Sequence, residues 1–190
     1  MIFYKKLNVE NFDLIRDELI RATVDDIAKG LRFWDVPFAW FKDAAPLLHE
    51  FVDSRKKIPI RLCRFYLTPK YDVVIPHLDG LTNNRSPIGL NIPIIGYENT
   101  TMDWYDCPDD NLIDGKYGFN NITASRVVDF TKLTKVDTAI IDCPTFVRTD
   151  VVHGVQNFNS SQRLVLSIRF PYVGTFGKQF EDVMELSGLD

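Results

Sequence analysis

From Ile58 onward the chain is a succession of short β-branched and aromatic stretches separated by Pro, Gly, Asn and Asp. They are Ile60–Leu67, Asp72–Ile75, Ile88–Ile95, Thr101–Tyr105, Arg126–Phe130, Thr138–Ile141, Phe146–Val152 and Arg163–Phe170. Stretches of this length and composition read as strands, and the punctuation between them as turns. No helical periodicity intervenes, so an antiparallel sandwich or barrel is expected rather than parallel βαβ units. The stretch Cys107–Asn121, rich in Asp, Asn and Gly, reads as a long loop, either a lid or an ordinary surface loop. The first third differs. Leu14, Ile15, Leu19, Ala22, Ile27 and Ala28 recur at helical spacing before Gly30. Leu47, Leu48, Phe51 and Val52 mark a second helix over about 45–54, with Asp43 near its start.

The expected class is therefore mainly β (α+β), with a helical scaffold over about 1–57, a β core over about 58–172 and a tail over 173–190. At 190 residues and 45% apolar composition, one domain with one well-buried core is expected.

Charge narrows the classes of partner. The net charge is -4 and the one tight basic cluster is Arg55-Lys56-Lys57, so a nucleic-acid partner is not expected. No run approaches the ~20 apolar residues of a membrane span, and Met1–Lys6 has no signal-peptide apolar core. A soluble, cytoplasmic protein is the expectation. Cys63, Cys107 and Cys143 are odd in number and widely spaced, which fits reduced thiols rather than a disulfide framework or a zinc site.

The chemistry-bearing residues are few. His77 and Asp79, two apart after an apolar run, point to one face if they lie on a strand. Two neutral imidazoles and a carboxylate on one side of an ion are the ligand set that leaves Fe(II) with adjacent open positions, as in non-haem iron oxygenases. The chain has three histidines. His49 falls in the second helix with a packing or surface reading, which leaves His153 as the third ligand. A lone histidine in a β-rich run is otherwise a satisfied core or edge residue. Pro76 and Gly80 around the His-x-Asp pair suggest that its strand gives way to a turn there. On the last strand Arg163, Val165, Ser167 and Arg169 share one face and Leu164, Leu166, Ile168 and Phe170 the other. An unpaired guanidinium is costly in a dry core. That face therefore either meets an anionic ligand, such as the distal carboxylate of 2-oxoglutarate held by a two-pronged guanidinium, or is exposed to solvent.

The run Arg64–His77, then Asn84-Arg85, Gly89-Leu90-Asn91-Ile92-Pro93, His153-Gly154-Val155 and Arg163-Leu164-Val165-Leu166 resembles the aspartyl/asparaginyl β-hydroxylase family over about residues 60–170. The resemblance implies a double-stranded β-helix (jelly-roll, cupin-like) core and an oxygenase using Fe(II), the cosubstrate 2-oxoglutarate and dioxygen. It implies metal ligands at His77 and His153, with Asp79 completing the set. It also implies 2-oxoglutarate contacts from Arg163, Tyr66 and Arg85, with Ser167 close by. Some members of the family have glycine where this chain has Asp79, and the full ligand set here argues against halogenation. Pro87 stands where the β-hydroxylase has a further histidine on the cosubstrate, and Asn91 is the substitute suggested for it.

The resemblance implies hydroxylation of an amino-acid side chain, peptidyl or free, or of a related small molecule. Trp34, Phe38, Trp40, Trp104 and Tyr105 are read as core rather than as the mouth of a substrate site. Two other readings stand beside the oxygenase. One is a cupin-like metal protein that does not use 2-oxoglutarate; the other is a catalytically silent jelly-roll protein.

Overall fold

The computed structural model describes residues 1–54, 59–81, 84, 85, 88–117 and 122–170. The basic cluster at 55–57, Pro87 and the tail at 173–190 lie outside these residues, as does the side chain of Arg85. In chain order the elements are β1 (Tyr4–Lys6), α1 (Phe12–Ala28), β2 (Phe33–Val36), α2 (Phe41–Ala44), α3 (Pro46–Asp53), β3 (Leu62–Thr68), β4 (Val73–Leu81) and β5 (Asn84–Arg85). Then follow β6 (Ile88–Ile95), β7 (Thr100–Asp106), β8 (Leu112–Tyr117), β9 (Ile122–Val127), β10 (Thr134–Ile140), β11 (Thr145–Arg148), β12 (Val152–Asn157) and β13 (Arg163–Arg169).

The strands pair antiparallel into two sheets. The first runs β1-β11-β6-β13-β3-β2, and the second β10-β7-β12-β4-β9-β8 with β5 attached to β4. This mainly β arrangement with helices at its amino end is the expected class.

The helices explain why the first sheet tolerates continuous apolar sequence. The even-numbered residues of β13 (Leu164, Leu166, Ile168) and their neighbours Phe65, Leu90 and Ile92 pack under Ile15 and Leu19 of α1 and Leu48 and Val52 of α3. Each such side chain contributes roughly 1.5–3 kcal/mol by leaving water. The larger apolar core therefore lies outside the sandwich, between the first sheet and the helices. The inner face of β13 is left to Arg163, Val165, Ser167 and Arg169. In α1 the buried stripe is Ile15, Leu19 and Thr23, with Thr23 Oγ1 donating to the Leu19 carbonyl, whereas Leu14 is exposed.

Several expectations are corrected. The run 146–152 is two strands, because the chain leaves β11 in the first sheet and enters β12 in the second. The Arg148–Asp150 ion pair at 2.8 Å spans the crossing. The expected loop over 107–121 contains β8, a largely exposed strand paired with β9, so its composition lacks a buried face. The strand expected at Arg126–Phe130 ends at Val127, since the Val128 N–H turns to the Asn111 carbonyl. The edge strands β1 and β2, three and four residues long, carry no alternation and form through pairing alone. The second helix forms where expected, as Pro46–Asp53, but Asp43 gives it no side-chain cap and lies in α2. Among the described residues no helix is long and apolar enough to cross a membrane.

The turn expected at His77-Leu78-Asp79 is instead the middle of β4. His153 pairs with His77 and Val155 with Val74, so β4 carries one extra residue opposite Gly154. Such a bulge breaks the ladder locally and so accommodates Pro76, which has no N–H. Gly154 permits the close approach: a Cβ there would stand 2.9 Å from the Val74 carbonyl oxygen and 3.4 Å from the Pro76 nitrogen. Both are backbone atoms and cannot swing aside. Gly154→Ala is expected to destabilise the fold by about 1–3 kcal/mol. In thermal denaturation that is a drop in Tm of roughly 2–4 °C per kcal/mol for a chain of this size.

Candidate metal centre

The register that sets His77 against His153 places both rings on the inner face of the second sheet, with Asp79 two residues along β4 on the same face. One donor atom from each of the three side chains lies within 4.8 Å of the other two, and the imidazole centroids are 4.7 Å apart. Asp79 Oδ1 is 3.6 Å from His77 Nε2, and Oδ2 is 3.8 Å from His153 Nε2. These gaps are too long for hydrogen bonds and have the size that separates donors around one ion.

The histidines are oriented by their own backbone. His77 Nδ1 is 2.9 Å from the Ile75 carbonyl oxygen, and His153 Nδ1 is 2.9 Å from that of Val151. A carbonyl only accepts, so Nδ1 carries the proton and the Nε2 lone pair faces Asp79. Metal-binding histidines are held in this way, with the far nitrogen donating to a carbonyl or carboxylate.

The charges reinforce one another. Burial would raise the Asp79 carboxyl pKa, but Arg169, His77 and His153 hold it well below the usual carboxylate range. Burial and the neighbouring His77 ring push His153 down to about 4, so it is a neutral ligand at ordinary pH. Burial also opposes charge on His77, yet Asp79 and the Ile75 carbonyl outweigh it and the pKa is raised. An ion must therefore displace a proton from His77 below that raised pKa. Affinity for Co(II) is expected to be level at higher pH and to fall up to tenfold per unit once pH drops below the raised His77 value. Calorimetric titrations between pH 8 and pH 5 measure this.

The triad lines a cavity of about 520 Å³, within the ~300–1,000 Å³ usual for small-molecule sites. Across it stand Tyr66, Asn91, Arg163, Ser167 and Arg169 from the first sheet. Arg163 is only 4% exposed, so its face of β13 is not the solvent-exposed one. No acidic side chain among the described residues pairs with it, and burial alone draws its guanidinium down to about 10. Ser167 Oγ donates to Asn91 Oδ1 at 2.7 Å, fixing the Asn91 amide, whose Nδ2 is 4.0 Å from Met102 Sδ. Arg85 is placed only by its backbone pairing with Gly80.

Trp104 is fully buried in the core and bonds the Arg148 carbonyl, while Trp34, Phe38 and Trp40 pack with the helical core. Tyr105 packs against Leu78 and Val152. None of the five aromatics lines the cavity. His49 stacks on Phe38.

Two further residues reach the site. Arg169 shares the Arg163 face by alternation, a signal present in the sequence, but its partner Asp79 was not legible there. Arg126 enters because β9 pairs with β4 opposite His77, and nothing in the local sequence marks it.

No family model and no curated protein matches the sequence. Solved structures do match. AviO1 from Streptomyces viridochromogenes Tue57 aligns with a TM-score of 0.53 at 17% identity, covering 88% of this chain and 89% of that one. SnoK, a non-haem α-ketoglutarate-dependent carbocyclase from nogalamycin biosynthesis, aligns at 0.53 and 11% identity over 87% of this chain and 78% of its own. SnoN, an epimerase solved with Fe3+, α-ketoglutarate and nogalamycin RO, aligns at 0.51 and 11% identity over 88% and 78%. At these identities the likeness is one of fold, and a fold hosts many reactions. The chain thus has the double-stranded β-helix fold of the 2-oxoglutarate- and Fe(II)-dependent oxygenases, with a His-Asp-His triad that resembles their iron-binding site.

Proposed function

We propose that this protein is a non-haem Fe(II)- and 2-oxoglutarate-dependent hydroxylase acting on an amino-acid side chain, peptidyl or free, or on a related small molecule. The observation that carries the proposal is Arg163, a buried guanidinium with no counter-charge among the described residues, in the same cavity as two imidazoles and a carboxylate. A buried cation left unpaired is expensive, and a dicarboxylate that reaches from the triad to Arg163 removes that cost.

The donor set suits Fe(II): two neutral Nε2 atoms and one carboxylate on a single face leave adjacent positions open. Asp79 Oδ2 has no aligned hydrogen bond and its close cation is Arg169 Nη1 at 2.7 Å, so Oδ1 is the oxygen left for an ion. Iron held there, with 2-oxoglutarate and dioxygen, would supply the oxidising power to hydroxylate an unactivated C–H bond, with succinate and carbon dioxide as co-products. The chain's own part is positional. His77, Asp79 and His153 hold the ion. Arg163 forks onto the distal carboxylate, Tyr66 offers its hydroxyl beside it, and Val165 with Val155 and Met102 walls the space between.

The resemblance over residues 60–170 to aspartyl/asparaginyl β-hydroxylases supports an amino-acid side chain as target. The cupin-like alternative leaves Arg163 without a task.

Succinate release tests the reading. Fe(II)-loaded protein given 2-oxoglutarate and air is expected to form succinate slowly even without its substrate, and an Arg163→Met variant is expected to form almost none. Iron-bound protein that forms no succinate with added peptides or amino acids either would count against the proposal.

A further inference from the structure

Arg169 ends β13 on the same face as Arg163, and its guanidinium meets the metal-ligand candidate Asp79. Nη1 lies 2.7 Å from Oδ2, with the two side chains 13% and 18% exposed. Both atoms are buried, and neither makes an aligned hydrogen bond. The contact is a charge pair whose direction is not fixed by hydrogen-bond geometry. Oδ1 faces His77 Nε2 at 3.6 Å. Oδ2 thus meets the guanidinium at 2.7 Å and His153 Nε2 only at 3.8 Å, while Oδ1 is turned to His77.

This asymmetry has a chemical consequence. A carboxylate binds an ion through one oxygen or both. On a six-coordinate ion, a cosubstrate chelating through two atoms and a dioxygen molecule need three positions beyond the protein's three donors. Asp79 must therefore bind through one oxygen only. A guanidinium seated on Oδ2 opposes chelation, because the second oxygen would have to leave its counter-charge to reach the ion.

The fold makes room for this guanidinium. Gly89 faces Arg169 in the β6–β13 register, and a Cβ at Gly89 would stand 3.0 Å from Arg169 Nη1, 3.2 Å from Cζ and 3.2 Å from Ser167 Oγ. Almost any side chain there would displace the guanidinium from Asp79. Tyr66, from the neighbouring β3, is a second polar neighbour of Arg169. A phenol oxygen that accepts from the guanidinium keeps its own O–H for an anion in the cavity.

We propose that Arg169 is a positioning residue of the metal centre, holding Asp79 as a one-oxygen ligand from the shelf that Gly89 leaves open. The inference rests on the metal-centre reading above. Co(II) alone is the probe, followed by calorimetry and by its visible ligand-field spectrum. Arg169→Met is expected to lower Co(II) affinity about 10–100-fold, the usual effect of losing a group that orients a ligand, and to change the spectrum. Arg169→Lys restores a cation beside Oδ2 and is expected to recover most of both. Gly89→Ala keeps every donor and is expected to shift the spectrum in the same direction by a smaller amount.

A folded Arg169→Met protein with wild-type Co(II) affinity and spectrum would overturn the inference. If that variant does not fold, wild-type values in both Arg169→Lys and Gly89→Ala overturn it equally. Wild-type protein that fails to bind Co(II) sinks the metal-centre reading and this inference together. Binding by wild type with indistinguishable variants sinks the inference alone.

Discussion

Asp79→Ala is expected to lower Fe(II) or Mn(II) affinity by more than 100-fold and to abolish turnover. Loss of a group that merely orients a ligand already costs about 10–100-fold, and Asp79 contributes the only negative charge of the three donors. The same substitution should also destabilise the metal-free protein, because it leaves Arg169, only 13% exposed, without its counter-charge. Removing one partner of a buried ion pair costs about 3–5 kcal/mol, or a fall in Tm on the order of 10 °C for this length. His153→Ala separates the two effects. It removes a neutral ligand and strands no charge, so it should lose metal affinity with a smaller change in Tm. Calorimetric metal titration and thermal denaturation of both variants check the pair of outcomes, and equal Tm losses would contradict the charge pairing described for Asp79.

Arg163→Met should act in the opposite direction on stability. The guanidinium is buried with nothing to neutralise it among the described residues, so an apolar side chain of similar length is expected to stabilise the ligand-free protein by about 1–3 kcal/mol. It should at the same time weaken 2-oxoglutarate binding by at least ~30-fold, since truncating one partner of a buried charge-assisted contact costs about 2–5 kcal/mol. Metal affinity should change little, because Arg163 is not among the ligands. A variant with a higher Tm, intact metal binding and lost cosubstrate binding is the expected result. A lower Tm with unchanged 2-oxoglutarate affinity would mean that Arg163 serves the fold.

The parts of this molecule legible in the sequence are those set by short-range periodicity. Alternation on Arg163–Phe170 separated the two faces of β13 and put Arg169 with Arg163, because a strand with two unlike environments must alternate; which face turned inward was left open between a ligand site and solvent. The two-residue spacing of His77 and Asp79 placed them on one face for the same reason. Neighbours across strands were not legible. The bulge opposite Gly154 sets His153 against His77, and it depends on pairing between residues more than seventy positions apart. The Arg169–Asp79 contact depends on how the two sheets face each other, which no local pattern encodes. Edge elements were missed for a related reason: β1, β2 and β8 have no two-sided burial to write a period into the sequence. The break at Thr149–Val151 carries Asp150 but no glycine or proline, and its flanking strands are largely buried, so one turn-forming residue left the run reading as a single strand.

The central claim is that one cavity holds iron at His77, Asp79 and His153 and 2-oxoglutarate between that iron and Arg163. Anaerobic titration of the Fe(II)-loaded protein with 2-oxoglutarate tests it most directly, by following the weak visible charge-transfer absorption that arises when the 2-oxo acid chelates iron. The band is expected to appear and saturate in wild-type protein, to need far more 2-oxoglutarate in Arg163→Met, and to be absent in Asp79→Ala. Wild-type protein that demonstrably binds Fe(II) yet develops no band at saturating 2-oxoglutarate would contradict the account.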